Sequence, residues 1–521
     1  MGVTSPQSPI RVAFIPGHHT GFAGRIGLTL GPGKRDARWD RDLDADLERL
    51  RGDFYTDLLV SLMEPEERRV LGMAALPERA RALGLDFEEL PIPDGSVPRS
   101  RSDLEALVRS IHRAAAAGRN VVVHCRGGLG RSGMVVAACL RARGLEAERA
   151  IEAVRRARPG AIETDEQAAL VATVEASDPP ILPIPFERFH GCLIAGAIGD
   201  ALGYPIEFDN HPSIVTRWGH EPPAPLAYAD TPPALVSDDT QMTLFTAEGL
   251  IAAADPNEQL DRIHQAYLRW LATQTGSATP AGGWLHSVER LHARRAPGNT
   301  CLSALSAQSQ SFHRPSVSAP PNDSKGCGAI MRSAPIGLGA LTREAAFELG
   351  RDAGVLTHGH PSGYLSAAYF AALIHDLCRG GELLEAMDAA DALLACEFGA
   401  AETQRFVALA KELALGGPPS AAALEALGGG WTGESALSIA LACLLSSDGV
   451  PATLWRAVAH GGDSDSTGSL VGNLLGAKHG TAPLPARWLD EVELGDVTAV
   501  LASDLYDRTV LGARMDRDRY G

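Results

Sequence analysis

The apolar positions of this chain follow two different textures. Through the first third, short runs at Arg11–Ile15, Asp57–Leu62 and Val121-Val122-Val123-His124 alternate with segments of helical spacing, Asp44–Leu50, Leu104–Ala117 and Met134–Arg143. Strand-sized runs separated by helix-sized ones predict an α/β unit, a largely parallel sheet with helices packed on it. Further along, the strand-like runs stop. Long Ala/Leu/Gly segments take over at Phe189–Leu202, Thr243–Ala254, Leu365–Leu377, Leu383–Leu394, Ala436–Leu445 and Gly468–Ala477. These are helix formers with few β-branched residues, and they predict an all-α unit. Two of the segments carry small residues four apart, Ala195/Gly199/Gly203 and Gly468/Gly472/Gly476. That spacing lets another backbone approach closely.

Between the textures lies Ser177-Asp178-Pro179-Pro180-Ile181-Leu182-Pro183-Ile184-Pro185. Its prolines cannot sit inside a helix and favour a stiff, extended linker. The expected division is therefore 1–177, a linker at 178–186, and 187–521. Charge changes at the same place: the first part is balanced, and the net −17 of the 521 residues falls on the second. An acidic chain of this kind is not expected to bind nucleic acid directly. No stretch reaches the ~20 apolar residues of a membrane helix, so no membrane association is expected. Eight cysteines without regular spacing point to reduced thiols and a cytoplasmic setting.

The chemistry of the first unit sits at a strand-to-helix turn, His124-Cys125-Arg126-Gly127-Gly128-Leu129-Gly130-Arg131-Ser132-Gly133. Cys-x5-Arg alone is uninformative in a chain with eight cysteines and 47 basic residues; its context is what counts. The loop follows a β-branched strand, is rich in glycine at Gly127, Gly128 and Gly130, and opens a helix. Backbone N–H groups in such a loop converge at the positive end of a helix dipole, a place suited to a phosphate dianion. The same field favours a thiolate nucleophile at Cys125. Arg131 is expected to clamp two phosphate oxygens, and Ser132 to hydrogen-bond the sulfur as it leaves. Asp94, in the Pro-flanked loop Pro91–Pro98 and 31 residues before Cys125, is the candidate acid for the leaving oxygen and then the base for water. Its bland alternative is a turn residue ahead of Gly95.

This unit resembles the cysteine-dependent dual-specificity phosphatases, most closely the kinase-associated type, over roughly Ile26 to Val174. The resemblance rests on Leu90–Asp94, His124–Gly133 and Ala157–Thr164. It implies Cys125 as nucleophile, Arg131 as phosphate clamp, Asp94 as general acid and Ser132 as helper. Which side chain near Glu163 and Gln167 positions the hydrolytic water stays open, as does the target.

In the second unit, carboxylates gather in two short motifs, Ser237-Asp238-Asp239-Thr240 and Gly462-Asp463-Ser464-Asp465-Ser466-Thr467-Gly468, each just before a helix. A helix cap needs one such residue. Paired carboxylates repel unless a cation sits between them, and an all-oxygen set points to Mg²⁺, Mn²⁺ or Ca²⁺. The second motif partly imitates a calcium loop, but Leu474 stands where the bidentate Glu belongs. His358 and His360 read as loop or substrate contacts before metal ligands, and Asp200 as a structural residue at a helix end.

The unit is similar to the ADP-ribosylglycohydrolases over nearly all of 187–490. The residues carrying this are Gly191–Gly203 with Pro205 and Glu207, Ser237–Met242, Ser324–Arg332, Leu356–Pro361 and His460–Gly468, in the family's order. The resemblance implies an all-α fold around two divalent cations, Mg²⁺ or Mn²⁺. The implied ligands are Ser237, Asp238 and Asp239 on one side and Asp463, Asp465 and Ser466 on the other. Glu207 becomes the active-site carboxylate, Gly326 and Gly328 a loop around the diphosphate and ribose, and His358 a ligand-facing position.

The expectation is a bifunctional hydrolase. One half removes ADP-ribose from an ADP-ribosylated protein or small ADP-ribose compound, and the other hydrolyses a phosphorylated substrate. The alternative keeps only the hydrolase active and makes the first unit a phosphate-binding or targeting module.

Overall fold

A computed structural model describes every residue except 1, 225, 227–231, 279 and 312. The chain divides into two compact units, Met1–Pro183 with Val510–Asp518, and Ile184–Thr509 with Arg519–Gly521.

The first unit is α/β. Its strands β1 (Ala13–Phe14), β2 (Ile26–Thr29), β3 (Thr56–Ser61), β4 (Asp86–Glu89) and β5 (Asn120–His124) form one sheet in the order β1-β2-β5-β3-β4. Only the β1–β2 pair is antiparallel. β5 is central and covered on both faces. Val121 and Val123 enter a core with Leu107, Ile111 and Val135, while Val122 enters the opposite core with Leu47, Leu59 and Leu76. Double burial explains a continuous β-branched run in place of an alternating one. The helices Arg101–Ala116 and Gly130–Ala142 cover the first face, and Leu43–Gly52 and Leu76–Ala82 the second. β5 ends at His124, in register with Thr29 and Ser61 on its two neighbours. Cys125 therefore emerges at the carboxyl end of the middle strand, where open α/β sheets place their ligands.

The second unit is helical. Its centre is the antiparallel pair Phe186–Gly203 and Ser464–His479, both almost wholly buried. Their close approach is set by the small-residue ridges. A Cβ on Gly199 would lie 2.0 Å from the Gly468 carbonyl oxygen, on Gly472 2.0 Å from that of Ala195, and on Gly476 2.0 Å from that of Gly191. Backbone meets backbone, and no side chain fits between. The Asn473 amide closes the seam by donating to the Cys192 carbonyl at 2.8 Å. Because the pair is antiparallel, the end of the first helix meets the start of the second. That geometry delivers Asp200 and the following Glu207 to Asp463 and Asp465.

Candidate functional sites

In the first unit, the loop after β5 wraps the Cys125 sulfur. Sγ accepts the Gly128 N–H at 3.3 Å and lies 3.4 Å from Ser132 Oγ. Gly128 has φ +71°, and a Cβ there would fall 2.4 Å from the Thr29 backbone, so only glycine fits. Arg131, opening the following helix, is 1% exposed. The sequence assigns its guanidinium fork to phosphate; in the structure that fork is held by Glu67, at 2.7 and 2.9 Å, with the Ile92 carbonyl at 2.9 Å. Asp94 Oδ1 stands 2.9 Å from the same group. Nε–H and the terminal hydrogen facing Asp94 are thus the donors left for a phosphate. Asp94 itself rides on an exposed loop, which suits a group that must reach a leaving oxygen.

Gly130 faces Glu163 and Gln167: a Cβ on it would lie 2.5 Å from Glu163 Oε2 and 3.0 Å from the Gln167 amide. Both side chains therefore border the phosphate loop. Gln167 is buried and accepts the Glu163 N–H at 3.0 Å. His124, fully buried, is held neutral, its pKa pushed down to about 3 by desolvation.

Three residues beside this loop were not singled out from the sequence. Glu67 lies on the short helix Pro65–Val70, 64 residues before the arginine it holds. Lys34 is buried, with Nζ donating to the Arg126 carbonyl at 3.2 Å. Arg158 donates to the Gly127 carbonyl at 3.3 Å. The signal for Glu67 is faint, since one carboxylate on a charged helix looks like solvated surface. Arg158 at least stands in the Ala157–Thr164 segment that carries part of the resemblance.

In the second unit, the helix Asp238–Ala252 starts on Ser237, whose Oγ accepts the Asp239 N–H at 3.2 Å. Asp200, wholly buried, fixes that turn. Its carboxylate accepts the Ser237 N–H at 2.9 Å, the Thr240 N–H at 3.1 Å and the Thr240 hydroxyl. The residue that reads as merely helix-terminal therefore aligns one half of the acidic cluster. The other half starts the helix Ser464–His479. Asp463 is fixed by its N–H donating to the Gly429 carbonyl at 2.7 Å, and its Oδ2 accepts the Cys327 thiol at 2.8 Å. Asp465 Oδ1 accepts the Ser466 N–H at 2.9 Å. Carboxylate oxygens of Glu207, Asp463 and Asp465 lie within 4.8 Å of one another.

This gathering of negative charge is out of balance on its own. Burial, reinforced by Asp465 and the other carboxylates, pushes Glu207 up to about 8. Asp200 rises to about 7 for the same two reasons. Asp238, Asp239 and Asp463 are driven well above the carboxylate range, each chiefly by desolvation. Among the described residues, buried Asp239 Oδ1 and Glu207 Oε2 have no hydrogen-bond partner. Orphaned oxygens inside an all-oxygen cluster fit hard divalent cations.

The remaining expected positions fall around this cluster. Gly326 and Gly328 lie over the imidazole of His358, and a Cβ on Gly328 would come 2.9 Å from its Cε1. His358 is 2% exposed, bonded to the Thr357 hydroxyl at 2.8 Å, and kept neutral by burial with a pKa near 3. It lies buried beneath the glycine loop. Phe208, next to Glu207, is 80% exposed and stacks on Trp431, whose carbonyl accepts the Cys327 N–H at 3.3 Å.

Comparison with known proteins matches each unit separately. The ADP-ribosylglycohydrolase family profile matches residues 182–514, and that of the dual specificity phosphatase catalytic domain matches 78–176. The ADP-ribosyl-[dinitrogen reductase] glycohydrolase of Rhodospirillum rubrum is 25% identical over 318 residues, covering 60% of this chain and 92% of that protein. Cyclin-dependent kinase inhibitor 3 of Rattus norvegicus is 30% identical over 167 residues, 31% of this chain and 76% of its own length. Among solved structures, a chain of an ADP-ribosylglycohydrolase-related protein complex aligns with a TM-score of 0.47 at 25% identity, over 62% of this chain and 98% of that one.

Proposed function

Since the chain belongs to the ADP-ribosylglycohydrolase family and also carries a dual-specificity phosphatase domain, we propose that it is a bifunctional hydrolase with both sites active. The observation that carries this reading is the completeness of both sets. Cys125 Sγ lies 3.4 Å from Ser132 Oγ and Arg131 2.9 Å from Asp94, while carboxylate oxygens of Glu207, Asp463 and Asp465 converge within 4.8 Å.

At the first site, the Cys125 thiolate attacks the phosphorus and forms a P–S bond. The ester P–O bond breaks, and Asp94 gives its proton to the departing oxygen. Arg131, braced by Glu67, holds the equatorial oxygens with the loop N–H groups of Gly127, Gly128 and Gly130. Asp94 then takes a proton from water as that water attacks phosphorus. The P–S bond breaks, and Ser132 donates to the emerging thiolate. Phosphate leaves and the enzyme is restored.

At the second site, the family is generally dependent on divalent metal, and we assign two ions, Mg²⁺ or Mn²⁺. Ser237, Asp238, Asp239, Asp463, Asp465 and Ser466 would hold them. Bound there, the cations supply positive charge for the ribose hydroxyls and a water. The protein's own work is distinct. Asp200 aligns the Ser237–Thr240 turn, and Glu207, with its raised pKa, is suited to shuttle a proton between water and leaving group near neutral pH. Gly326 and Gly328 offer backbone to the diphosphate and ribose, with His358 packed beneath them.

The substrates in this reading are an ADP-ribosylated protein or small ADP-ribose compound, and a phosphate monoester. Eight free cysteines fit a reducing, cytoplasmic setting. Among the described residues, no helix is long and apolar enough to cross a membrane. The test is to assay phosphate release from an aryl phosphate and ADP-ribose release from ADP-ribosylated protein on the same preparation. Absence of either activity in the folded, metal-supplied chain contradicts the bifunctional reading.

A further inference from the structure

Beneath the glycine loop of the helical unit, three buried side chains form a line from Arg332 through Thr357 to His358. Arg332 is 1% exposed and held from several sides. Its guanidinium lies 4.1 Å over the Tyr267 ring, and Nη2 donates to the Ala353 carbonyl at 3.3 Å. The same nitrogen reaches the Thr357 hydroxyl at 2.7 Å, and Thr357 Oγ1 lies 2.8 Å from His358 Nδ1. Burial, reinforced by the positive charge of Arg332, keeps the imidazole neutral.

The direction of these bonds follows from which groups can donate. A guanidinium only donates, so Thr357 Oγ1 accepts from Arg332. The hydroxyl then has one hydrogen of its own to give. Its neighbours in reach are His358 Nδ1 and the Cys301 sulfur. A thiol sulfur is a weak acceptor, and this one already takes Arg332 Nη1 at 3.6 Å. The hydrogen therefore goes to Nδ1. A neutral imidazole that accepts at Nδ1 carries its own hydrogen at Nε2. Nε2 makes no hydrogen bond among the described residues. It lies under two glycines: a Cβ on Gly326 would stand 3.2 Å from it, and one on Gly328 3.3 Å. Glycine at both positions keeps side-chain atoms away from that N–H. A buried donor without a protein partner suits an oxygen brought by a ligand.

We infer that Arg332 and Thr357 are positioning residues that lock His358 in the Nε2–H form, and that this N–H donates to an oxygen of the ADP-ribosyl group seated on the glycine loop. The second half rests on the ADP-ribosyl hydrolase reading given above; the lock itself does not.

The experiment reads the tautomer directly. The full chain, with ¹⁵N-labelled histidine and Mg²⁺ supplied, is followed by long-range ¹H–¹⁵N correlation, in which protonated and bare ring nitrogens have separate shifts. The signals lost in His358→Gln identify the residue. The wild type should show a bare Nδ1 and a protonated Nε2, and the Nε2 shift should move when ADP-ribose is added. Thr357→Val removes the hydroxyl. It should place the hydrogen on Nδ1 in part of the population and raise the ADP-ribose dissociation constant about three- to tenfold, the scale of one neutral hydrogen bond. Thr357→Ser should restore both, which a role for the threonine methyl in packing would not. Hydrogen at Nδ1 in the wild type overturns the lock, as does a Thr357→Val chain with tautomer and affinity both unchanged. ADP-ribose that binds without moving Nε2 overturns the ligand half. The wild-type tautomer decides the lock even where Thr357→Val fails to fold. A folded, metal-supplied wild type that neither binds nor releases ADP-ribose overturns the hydrolase reading instead, and the tautomer of the free chain still decides the lock.

Discussion

At the scale of single residues, the two sites solve the same electrostatic problem in opposite ways. Around Cys125, protein charges are paired before substrate arrives, with Glu67 bracing Arg131 at 2.7 Å. In the acidic cluster, Asp239 Oδ1 and Glu207 Oε2 are left without a hydrogen-bond partner among the described residues. Cys125→Ser should abolish phosphate release and leave ADP-ribose release untouched, and near-wild-type turnover of an aryl phosphate would refute the nucleophile. Glu67→Gln keeps the shape but removes the charge that holds the fork. We expect phosphate release to fall by about ten- to a hundredfold, from one charge-assisted pair, with little change in melting temperature. An unchanged rate would show that Arg131 needs no brace. Cys125, Arg131 and Asp94 are candidates from the sequence because glycine, proline and spacing mark their loops. It does not disclose Glu67, since nothing local distinguishes it from Glu66 beside it. Asp200 is legible as a helix-end carboxylate, but its three donors come from residues 37 and 40 positions away.

At the scale of elements, hydrophobic periodicity finds the helices but misplaces the starts of those bearing the site. The apolar pattern begins at Thr243 and Gly468, whereas the helices begin at Asp238 and Ser464. In both, the missing first turn consists of polar residues that are nevertheless buried, because that turn carries the acidic cluster. A pattern argument equates polar with exposed and fails where function buries charge. The glycine ridges are legible as ridges, and the structure adds that they face each other. Gly472→Ala would push a Cβ to within 2.0 Å of the Ala195 carbonyl. Overpacking of this kind costs about 1–3 kcal/mol. It should lower the melting temperature of the helical unit and weaken metal binding, since the ridge aligns Asp463 and Asp465 with Glu207. An unchanged melting temperature would mean the helices can part without loss.

At the scale of the whole molecule, the chain carries two compact units of different family, and in the proposed reading only the helical one depends on cations. Composition gives the expected division at the Pro-rich segment, and the two compact units part between Pro183 and Ile184. Composition gives no sign of the grouping of Val510–Asp518 with the first unit, which involves long-range pairs such as Arg514–Asp57 at 3.2 Å and Arg25–Asp516 at 3.5 Å. The raised carboxyls should give the helical unit a pH dependence of its own. Asp200 and Glu207 have folded pKa values raised to about 7 and about 8. A carboxyl raised in this way binds its proton more tightly folded than unfolded. Metal-free stability is then greatest below the unfolded value and declines as pH rises toward the folded one. Above the ordinary histidine range, where buried neutral His358 no longer opposes the trend, the unit without cations should melt at a lower temperature at about pH 8 than at about pH 6.5, and excess Mg²⁺ should shrink the difference, because a ligand of the native state stabilises it. A metal-free melting temperature that rises with pH over that range would contradict the acidic cluster as described.

The most direct test of two independent active sites on one chain is a paired assay of phosphate and ADP-ribose release, with and without exhaustive chelation. Chelation should stop ADP-ribose release, Mg²⁺ or Mn²⁺ should restore it, and phosphate release should continue throughout. Full ADP-ribose release from the chelated protein, or loss of both activities together, would contradict the account.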